Sequence, residues 1–365
     1  MYALLLSPSA NRVYADATAA MATAELGVLA GAELPGSGRI GEIGTELIGG
    51  VPYLVFEADR MDAETIAVLA RLSAAYALFE RQGALLAPLE LRRPHRFDDD
   101  LITIPKYTGK TNEQFTRLLL NVTAFSARPT SDSPWSGQRF RVFDPLCGRG
   151  TTMHQAIMYG WNSAGMDVDG KDFDAYRAHL ESWTRRKRLK HRTEVIPVRR
   201  EKKLIGRRLE LDLAPSKEEF KRGETVNATM VHADTLRAGD FFRPRTFDLL
   251  VTDLPYGVRH GSRSGDGSGG SAPAGSRPGS GSESGAGLSR RPLELLRRAL
   301  PAWIPLLRPG GALGLSWNTY VAERATVIEQ LQRAGLRVLE GGPYEQFAHR
   351  VDQAIHRDLV VARLD

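Results

Sequence analysis

Residues Arg139–Thr152 read Arg-Phe-Arg-Val-Phe-Asp-Pro-Leu-Cys-Gly-Arg-Gly-Thr-Thr, and no other stretch of the 365-residue chain constrains the fold as much. Phe140–Phe143 is a short apolar, β-prone run and predicts a buried strand. Asp144 and Pro145 end it, Gly148 and Gly150 fall in a loop, and Thr151 onward turns helical through Met153, Ala156 and Ile157. Glycines in a strand-to-helix loop let the backbone approach a ligand closely. The third glycine of a dinucleotide fingerprint is missing, because position 153 is Met. An acidic residue stands before the glycines instead. The loop therefore suits a cationic, phosphate-free ligand better than a pyrophosphate.

Acidic residues also close the strands predicted next. Ser163–Met166 leads into Asp167, seventeen residues after Gly150, with Asp169 as the alternative. Thr229–Val231 is followed by His232-Ala233-Asp234, and Phe247–Thr252 by Asp253. Ligands of open α/β sheets bind outside the carboxyl ends of the strands, where an acid holds ribose hydroxyls. Each acid alone also reads as a solvated loop carboxylate; their order along the chain makes them one site. S-adenosylmethionine (SAM) carries ammonium and sulfonium charges. It fits a lining of Asp144, Pro145, Cys147, Gly148, Gly150, Thr151, Thr152, Asp167 or Asp169, Ala233 and Asp234. Asp167 then takes the ribose and Asp234 the adenine amino group. Cys147 is the single cysteine. It excludes an internal disulfide, fits a reducing cytosol and reads as a small packing residue.

A second segment, Val251–Gly257 (Val-Thr-Asp-Leu-Pro-Tyr-Gly), ends the last of these strands. Asp and Pro are ordinary turn residues, but the segment also suits one chemistry. The exocyclic amine of a nucleobase is a poor nucleophile, because its lone pair is delocalised into the ring. An enzyme acting on it needs acceptors for the N–H bonds and a flat surface for the base. Asp253 offers a carboxylate and Leu254 its backbone carbonyl. Pro255 fixes the turn at φ near roughly −65°. Tyr256 offers a ring, and stacking on such a ring contributes roughly 1–3 kcal/mol per base.

With these motifs in place, residues from about Lys106 to Leu364 resemble the class I SAM-dependent methyltransferases. Asp-Pro-Leu-Cys-Gly-Arg-Gly-Thr-Thr and Asp-Leu-Pro-Tyr-Gly resemble in particular the tRNA guanosine-N2 methyltransferases acting on the D-arm and the related ribosomal RNA enzymes. The resemblance implies a Rossmann-like α/β sheet closed by an antiparallel hairpin, SAM as cofactor, and RNA, foremost tRNA, as substrate. It implies that Asp253, Leu254, Pro255 and Tyr256 receive the target amine. Arg259, His260 and Asn318 are the candidate substrate contacts. Those relatives usually carry Asp-Pro-Pro-Tyr, whereas Leu254 stands second here. Asn-Pro-Pro-Tyr turns occur in adenine-N6 methyltransferases, so adenine-N6 methylation of DNA or RNA is the second reading. A SAM-binding, catalytically silent RNA-binding protein is the third. A helix covers the cofactor in the resembled enzymes. Pro105–Ala127 matches it, with Leu118, Leu119, Val122 and Phe125 as apolar face and Phe115 and Thr116 toward the methionine end. Lys110-Thr111-Asn112 lacks the Gly-x-x-x-x-Gly-Lys pattern, which excludes a P-loop.

Length suggests two domains, 1–100 and 101–365. In the first, Tyr2–Ser7, Ala17–Leu29 (with Asp16 as N-cap), Gly41–Leu47, Pro52–Glu57, Met61–Leu72 and Ala75–Glu80 give the β-α-β-β-α-β order of a small ferredoxin-like α+β domain. On one reading it only caps or buttresses the catalytic part. The resembled tRNA enzymes follow such a domain with a THUMP domain, for which Glu90–Lys106 leaves no room. Net charge is +6, compatible with a polyanionic partner. Thr184–Arg222 holds fifteen Lys/Arg against six Asp/Glu. This reads as an insertion (184–226) near the cofactor face, with a short hairpin at Val195–Val198 and Arg208–Leu213. It is either a solvated excursion or a phosphate-contacting arm. Gly261–Gly287, with eighteen of twenty-seven residues Gly or Ser, predicts a disordered loop, either a lid or an expansion without a role. Leu293–Leu307 and Tyr320–Ala334 predict helices, and Ala312–Trp317, Leu336–Leu339 and Leu359–Leu364 strands. The five tryptophans read as core. No apolar run of about twenty residues is present, the N-terminus lacks a signal-peptide pattern, and no His/Cys cluster has metal-ligand spacing. A cytoplasmic enzyme without metal or membrane is the expectation.

Overall fold

A computed structural model describes residues 1–9, 11–256 and 292–365. Arg259, His260 and the Gly/Ser segment 261–287 lie outside the described residues.

The N-terminal unit runs β1 (Tyr2–Leu6), α1 (Arg12–Ala30), β2 (Ile40–Ile48), β3 (Val51–Ala58), α2 (Ala63–Leu69), β4 (Ala75–Gln82) and β5 (Leu85–Leu89). Its strands form a separate antiparallel sheet in the order β2-β3-β1-β4-β5. Gly49 and Gly50, at φ +61° and +81°, make the tight β2–β3 turn that only positive φ permits. α1 begins earlier than the alanine pattern predicts. Asn11, not Asp16, caps it, its side chain accepting from the Tyr14 N–H at 3.1 Å. Asp62 caps α2 in the same way, through the Thr65 N–H at 2.9 Å. β5 is an unpredicted edge strand, since Leu85–Leu89 lacks period-two alternation.

The remaining elements are α3 (Asp100–Thr103), α4 (Glu113–Ser126), β6 (Arg141–Asp144), α5 (Thr151–Met158), β7 (Asn162–Asp167), α6 (Gly170–Arg186), β8 (Lys190–Arg200), β9 (Lys203–Ala214), α7 (Lys217–Lys221), β10 (Val226–His232), β11 (Phe247–Asp253), α8 (Pro292–Trp303), β12 (Leu307–Asn318), α9 (Arg324–Arg333), β13 (Arg337–Leu339), β14 (His349–Arg350) and β15 (His356–Arg363). They build one mixed sheet in the order β13-β15-β12-β11-β6-β7-β10-β9-β8. β10, β7, β6, β11 and β12 are mutually parallel. β15 lies antiparallel between β12 and β13, the closing hairpin expected from the resemblance. The chain leaves central β6 toward β7 on one side and returns to β11 on the other. That reversal is the topological switch point at which Rossmann-like sheets open a ligand crevice. α8 stops at Trp303, and Arg308-Pro-Gly-Gly opens β12 rather than ending a helix, with Gly310 at φ +75°.

The basic insertion differs most from expectation. It is a long hairpin, β8–β9, that continues the main sheet beyond β10. The Arg185–Arg188 run sits at the far end of α6, away from the cofactor edge. There Lys187 pairs with Asp98 and Asp100 at 2.7 and 2.8 Å. Within the hairpin most of the arginines are also paired: Arg192 with Glu194, Arg200 with Asp240, Arg207 with Asp174 and Arg208 with Glu210.

All five tryptophans are buried. One hydrophobic cluster joins the two sheets, running from Leu4, Leu54 and Phe56 through Phe115 and Leu118 to Val142, Leu249 and Val361. A polar network crosses the same junction. Fully buried Glu25 accepts from the Ser73 N–H and hydroxyl at 2.9 and 2.6 Å and from the Asn121 amide at 2.8 Å. Burial raises its carboxyl above the ordinary range. The Arg71 guanidinium lies over the Trp135, Tyr159 and Trp161 rings at 5.3, 4.9 and 5.3 Å. Among the described residues, no helix is long and apolar enough to cross a membrane and no group of His, Cys, Asp or Glu is placed to hold a metal. Glu25→Ala strands buried donors on both units, each costing about 1–3 kcal/mol. Urea unfolding is expected to show a loss on the order of 3 kcal/mol; an unchanged midpoint refutes the network's role.

Candidate active site

The site is built from the carboxyl ends of the parallel strands. After β6, the chain turns through a loop that glycine permits: Gly148 and Gly150 lie at φ +50° and +78°. A Cβ on Gly150 would stand 2.3 Å from the Tyr176 ring, and one on Gly165 2.4 Å from the Met153 sulfur. The loop is pinned by Cys147 N–H to the Met166 carbonyl (3.0 Å) and Gly148 N–H to the Asp167 carboxylate (2.9 Å). Cys147 is buried, and burial raises its thiol well above the ordinary range. It packs and is not poised to react.

Asp144 is 4% exposed. Burial pushes its carboxyl up to about 7, against the Thr152 hydroxyl and the Leu146 N–H, which favour the anion. Asp253, at the end of neighbouring β11, adds to the rise. Two carboxylates thus face one crevice at the switch point. Asp167 is half-buried, and burial raises it too; its other oxygen accepts from the Asp169 N–H at 2.8 Å. Asp169 caps α6 through the Lys171 N–H at 2.7 Å. The side chains of both acids thus accept backbone N–H bonds within the fold. The Ala233 N–H donates to the Asp167 carbonyl at 3.0 Å, and exposed Asp234 caps the next turn through the Leu236 N–H at 2.9 Å.

The segment before α4 crosses the crevice as a strap. The Tyr107 hydroxyl meets the Thr151 hydroxyl at 2.9 Å, while the Arg149 guanidinium covers the Tyr107 ring at 4.8 Å. Thr111 donates to Asp253 Oδ2 at 2.9 Å. Phe115 and Thr116 lie deeper than expected. Phe115 is fully buried against Tyr14 and His349, and the Thr116 hydroxyl turns back to the Asn112 carbonyl at 3.1 Å.

Asp253 is the most heavily bonded acid of the group. Ser316 donates to Oδ1 at 2.5 Å and Thr111 to Oδ2 at 2.9 Å. The Tyr256 hydroxyl also donates to Oδ2 and accepts from Arg357 Nη2. The Leu254 side chain is buried, and its N–H bonds the Ser316 carbonyl at 2.8 Å. The Tyr256 ring is not an open stacking surface here; it is turned inward, with the Arg357 guanidinium 5.0 Å above it. Asn318, expected to line the pocket, is 2% exposed and engaged in the fold. Its amide donates to the Ala354 carbonyl and accepts from the Tyr320 and His356 N–H groups.

Tyr107, Thr111, Ser316 and Arg357 join the site without having been read from the sequence. Ser316 stands opposite Asp253 in the β11–β12 register, and Arg357 opposite Asn318 in the β12–β15 register. Arg357, a charge at the head of the apolar run Leu359–Val361, was the one visible signal.

No protein-family model and no curated protein matches the chain. Among solved structures it is similar to TrmN from Thermus thermophilus, at 15% identity and a TM-score of 0.36, over 90% of this chain and 60% of that one. The chain thus spans 60% of the length of TrmN. It is similar to a geranyl diphosphate methyltransferase solved with SAM, at 11% identity and a TM-score of 0.36, over 70% of this chain and 86% of that one. A TehB-like SAM-dependent methyltransferase from Corynebacterium glutamicum gives 13% identity and a TM-score of 0.32, over 63% and 83%. Likeness at this level adds nothing to what strand order and site geometry establish.

The folded value of about 7 for Asp144 lies above the ordinary 3.8. A raised carboxyl contributes stability below its unfolded value and loses it as pH rises through the folded one. Asp144→Asn is therefore expected to gain on the wild type between about pH 4 and about pH 7. Thermal unfolding across that range checks this, and a gap that does not change with pH contradicts it.

Proposed function

We propose that the chain is a SAM-dependent methyltransferase acting on an exocyclic amine of a nucleobase, with guanosine N2 in RNA, foremost tRNA, as the target. The observation that carries this is Asp253. It is an acid at the end of β11, beside the switch-point crevice, held by Ser316 and Thr111 and faced by an aromatic ring and a guanidinium. The crevice suits SAM by its carboxylates and its open backbone. Asp144 is a buried carboxylate that gains from a nearby cation, Gly148 and Gly150 give backbone approach, and Asp167 stands where ribose hydroxyls are held. SAM supplies the electrophilic methyl group. Asp144, Pro145, Cys147, Gly148, Gly150, Thr151, Thr152, Asp167, Ala233 and Asp234 form the cofactor side.

On the substrate side, the base leaves its stack and the Tyr256 ring turns out to lie against it. Asp253 and the Leu254 carbonyl accept the amine N–H bonds and aim the nitrogen, and the Asp253 carboxylate takes the released proton. Catalysis here is mainly positioning. The N-terminal unit, read as a ferredoxin-like domain over 1–100, backs the site of the 101–365 domain.

The hairpin supplies the RNA surface in this reading. Arg207 of β9 stands opposite His232, the last residue of β10, so Lys203–Gly206 runs past the cofactor edge. Four residues overhang by roughly 13 Å at the rise of a strand. Arg199, Lys202 and Lys203 at this tip have no ion pair among the described residues.

Asp253→Ala is expected to keep SAM binding and abolish methylation. The assay is nucleoside mass spectrometry on tRNA, ribosomal RNA and DNA incubated with isotopically labelled SAM. Label in N6-methyladenine moves the protein to the adenine reading, and no label with intact SAM binding favours the silent RNA-binding one. Changing Arg199, Lys202 and Lys203 to Gln is expected to weaken RNA binding and flatten its salt slope by about 2–3. An unchanged slope removes the tip from the interface.

A further inference from the structure

We infer that Arg357 is the residue that selects guanine at this site, an inference that rests on the methyl-transfer reading above. A carboxylate has about four acceptor positions, two on each oxygen. On Asp253, Ser316 takes one at Oδ1 (2.5 Å) and Thr111 one at Oδ2 (2.9 Å). Both come from the scaffold, one from β12 and one from the strap. The second position at Oδ2 is filled by the Tyr256 hydroxyl. The second position at Oδ1 has no partner among the described residues.

Arg357 stands on the Oδ2 side, with Nη2 3.6 Å from that oxygen. The same Nη2 donates to the Tyr256 hydroxyl. The hydroxyl therefore occupies a gap walled by a donor and an acceptor, accepting from one and donating to the other. Whatever replaces it must offer an acceptor to Arg357 beside a donor to Oδ2, and a second donor if it is to use Oδ1. In that order the edge reads acceptor, donor, donor. Guanine presents this as O6, N1–H and the N2 amine. Adenine and cytosine present one ring acceptor beside one amine and leave the third position unmatched. Leaving a buried polar group without a partner is costlier than the net worth of the hydrogen bond it would have made.

Arg357 is fixed rather than adaptable. Its side chain is 3% exposed. Its guanidinium rests on the buried Phe115 ring at 4.4 Å, a contact that does not depend on Tyr256. Its buried Nε has no partner among the described residues. A buried cation with one ion pair of 3.6 Å is a poor stabilising device, and recognition of a base gives it a role.

The test uses pools of tRNA transcripts made with guanosine or with 6-thioguanosine, which keeps N1–H and the N2 amine but puts a weak acceptor at position 6. Labelled SAM and nucleoside mass spectrometry give kcat/KM for N2 methylation of each. The wild type is expected to favour guanosine about tenfold, the worth of one hydrogen bond to a charged group. Arg357→Met should lose the guanosine advantage while keeping the thio rate, whereas a purely structural role lowers both rates alike. Arg357→Lys, which retains a donor, should recover part of the preference, and it carries the test if the Met variant does not fold. Equal rates for the two transcripts with the wild type, or a preference that survives Arg357→Met, overturn the inference alone. Guanosine transcripts that take no label at N2 overturn the substrate reading and the inference with it.

Discussion

The reversal of strand order at β6 is the constraint on which the rest depends. Because the chain leaves β6 toward β7 and comes back to β11, the helices that follow these strands lie on opposite faces, and a crevice opens between the two strand ends. Asp144 closes β6 and Asp253 closes β11, so two acids share the crevice. Asp144 is buried deeply enough for its ionisation to be opposed by its surroundings and by Asp253. The two acids and the glycine loop stand together at the same end of the sheet.

The N-terminal unit packs directly behind the residues that surround Asp253. Its helix α1 carries Tyr14, which packs edge-on against Phe115 and His349 at 6.4 and 5.5 Å. Phe115 in turn carries Arg357 on its ring, and Arg357 faces Asp253. A continuous packed chain therefore links the first helix to the acid at the end of β11. The shared hydrophobic cluster and the Glu25–Asn121 bond hold this arrangement from behind.

The basic hairpin shows how charge counts mislead without a fold. Its composition suggests a loose cationic arm, yet β9 pairs with β10 from Arg207 to Leu213 and most of the hairpin's arginines face acids. Arg199, Lys202 and Lys203 at the tip have no ion pair among the described residues, and the strand register carries that tip past the end of β10. The hairpin is sheet first and surface second.

Sequence alone determined the strand–glycine loop–helix unit, the order of the acidic strand ends and the identity of Asp144, Asp167 and Asp253. Those features are local: apolar periodicity, turn residues and positive φ are written within a few positions of one another. It also anticipated the closing antiparallel hairpin, through the family resemblance. Tertiary structure alone decided which side chains meet Asp253. Thr111 lies 142 positions away and Arg357 more than a hundred from the turn. They arrive there through the strap's crossing and the β12–β15 register. Asn318, Phe115 and Thr116 are well placed along the chain, yet their side chains satisfy neighbouring backbone or fill the core. Register and packing set the direction of a side chain, and neither can be read from its position in the sequence.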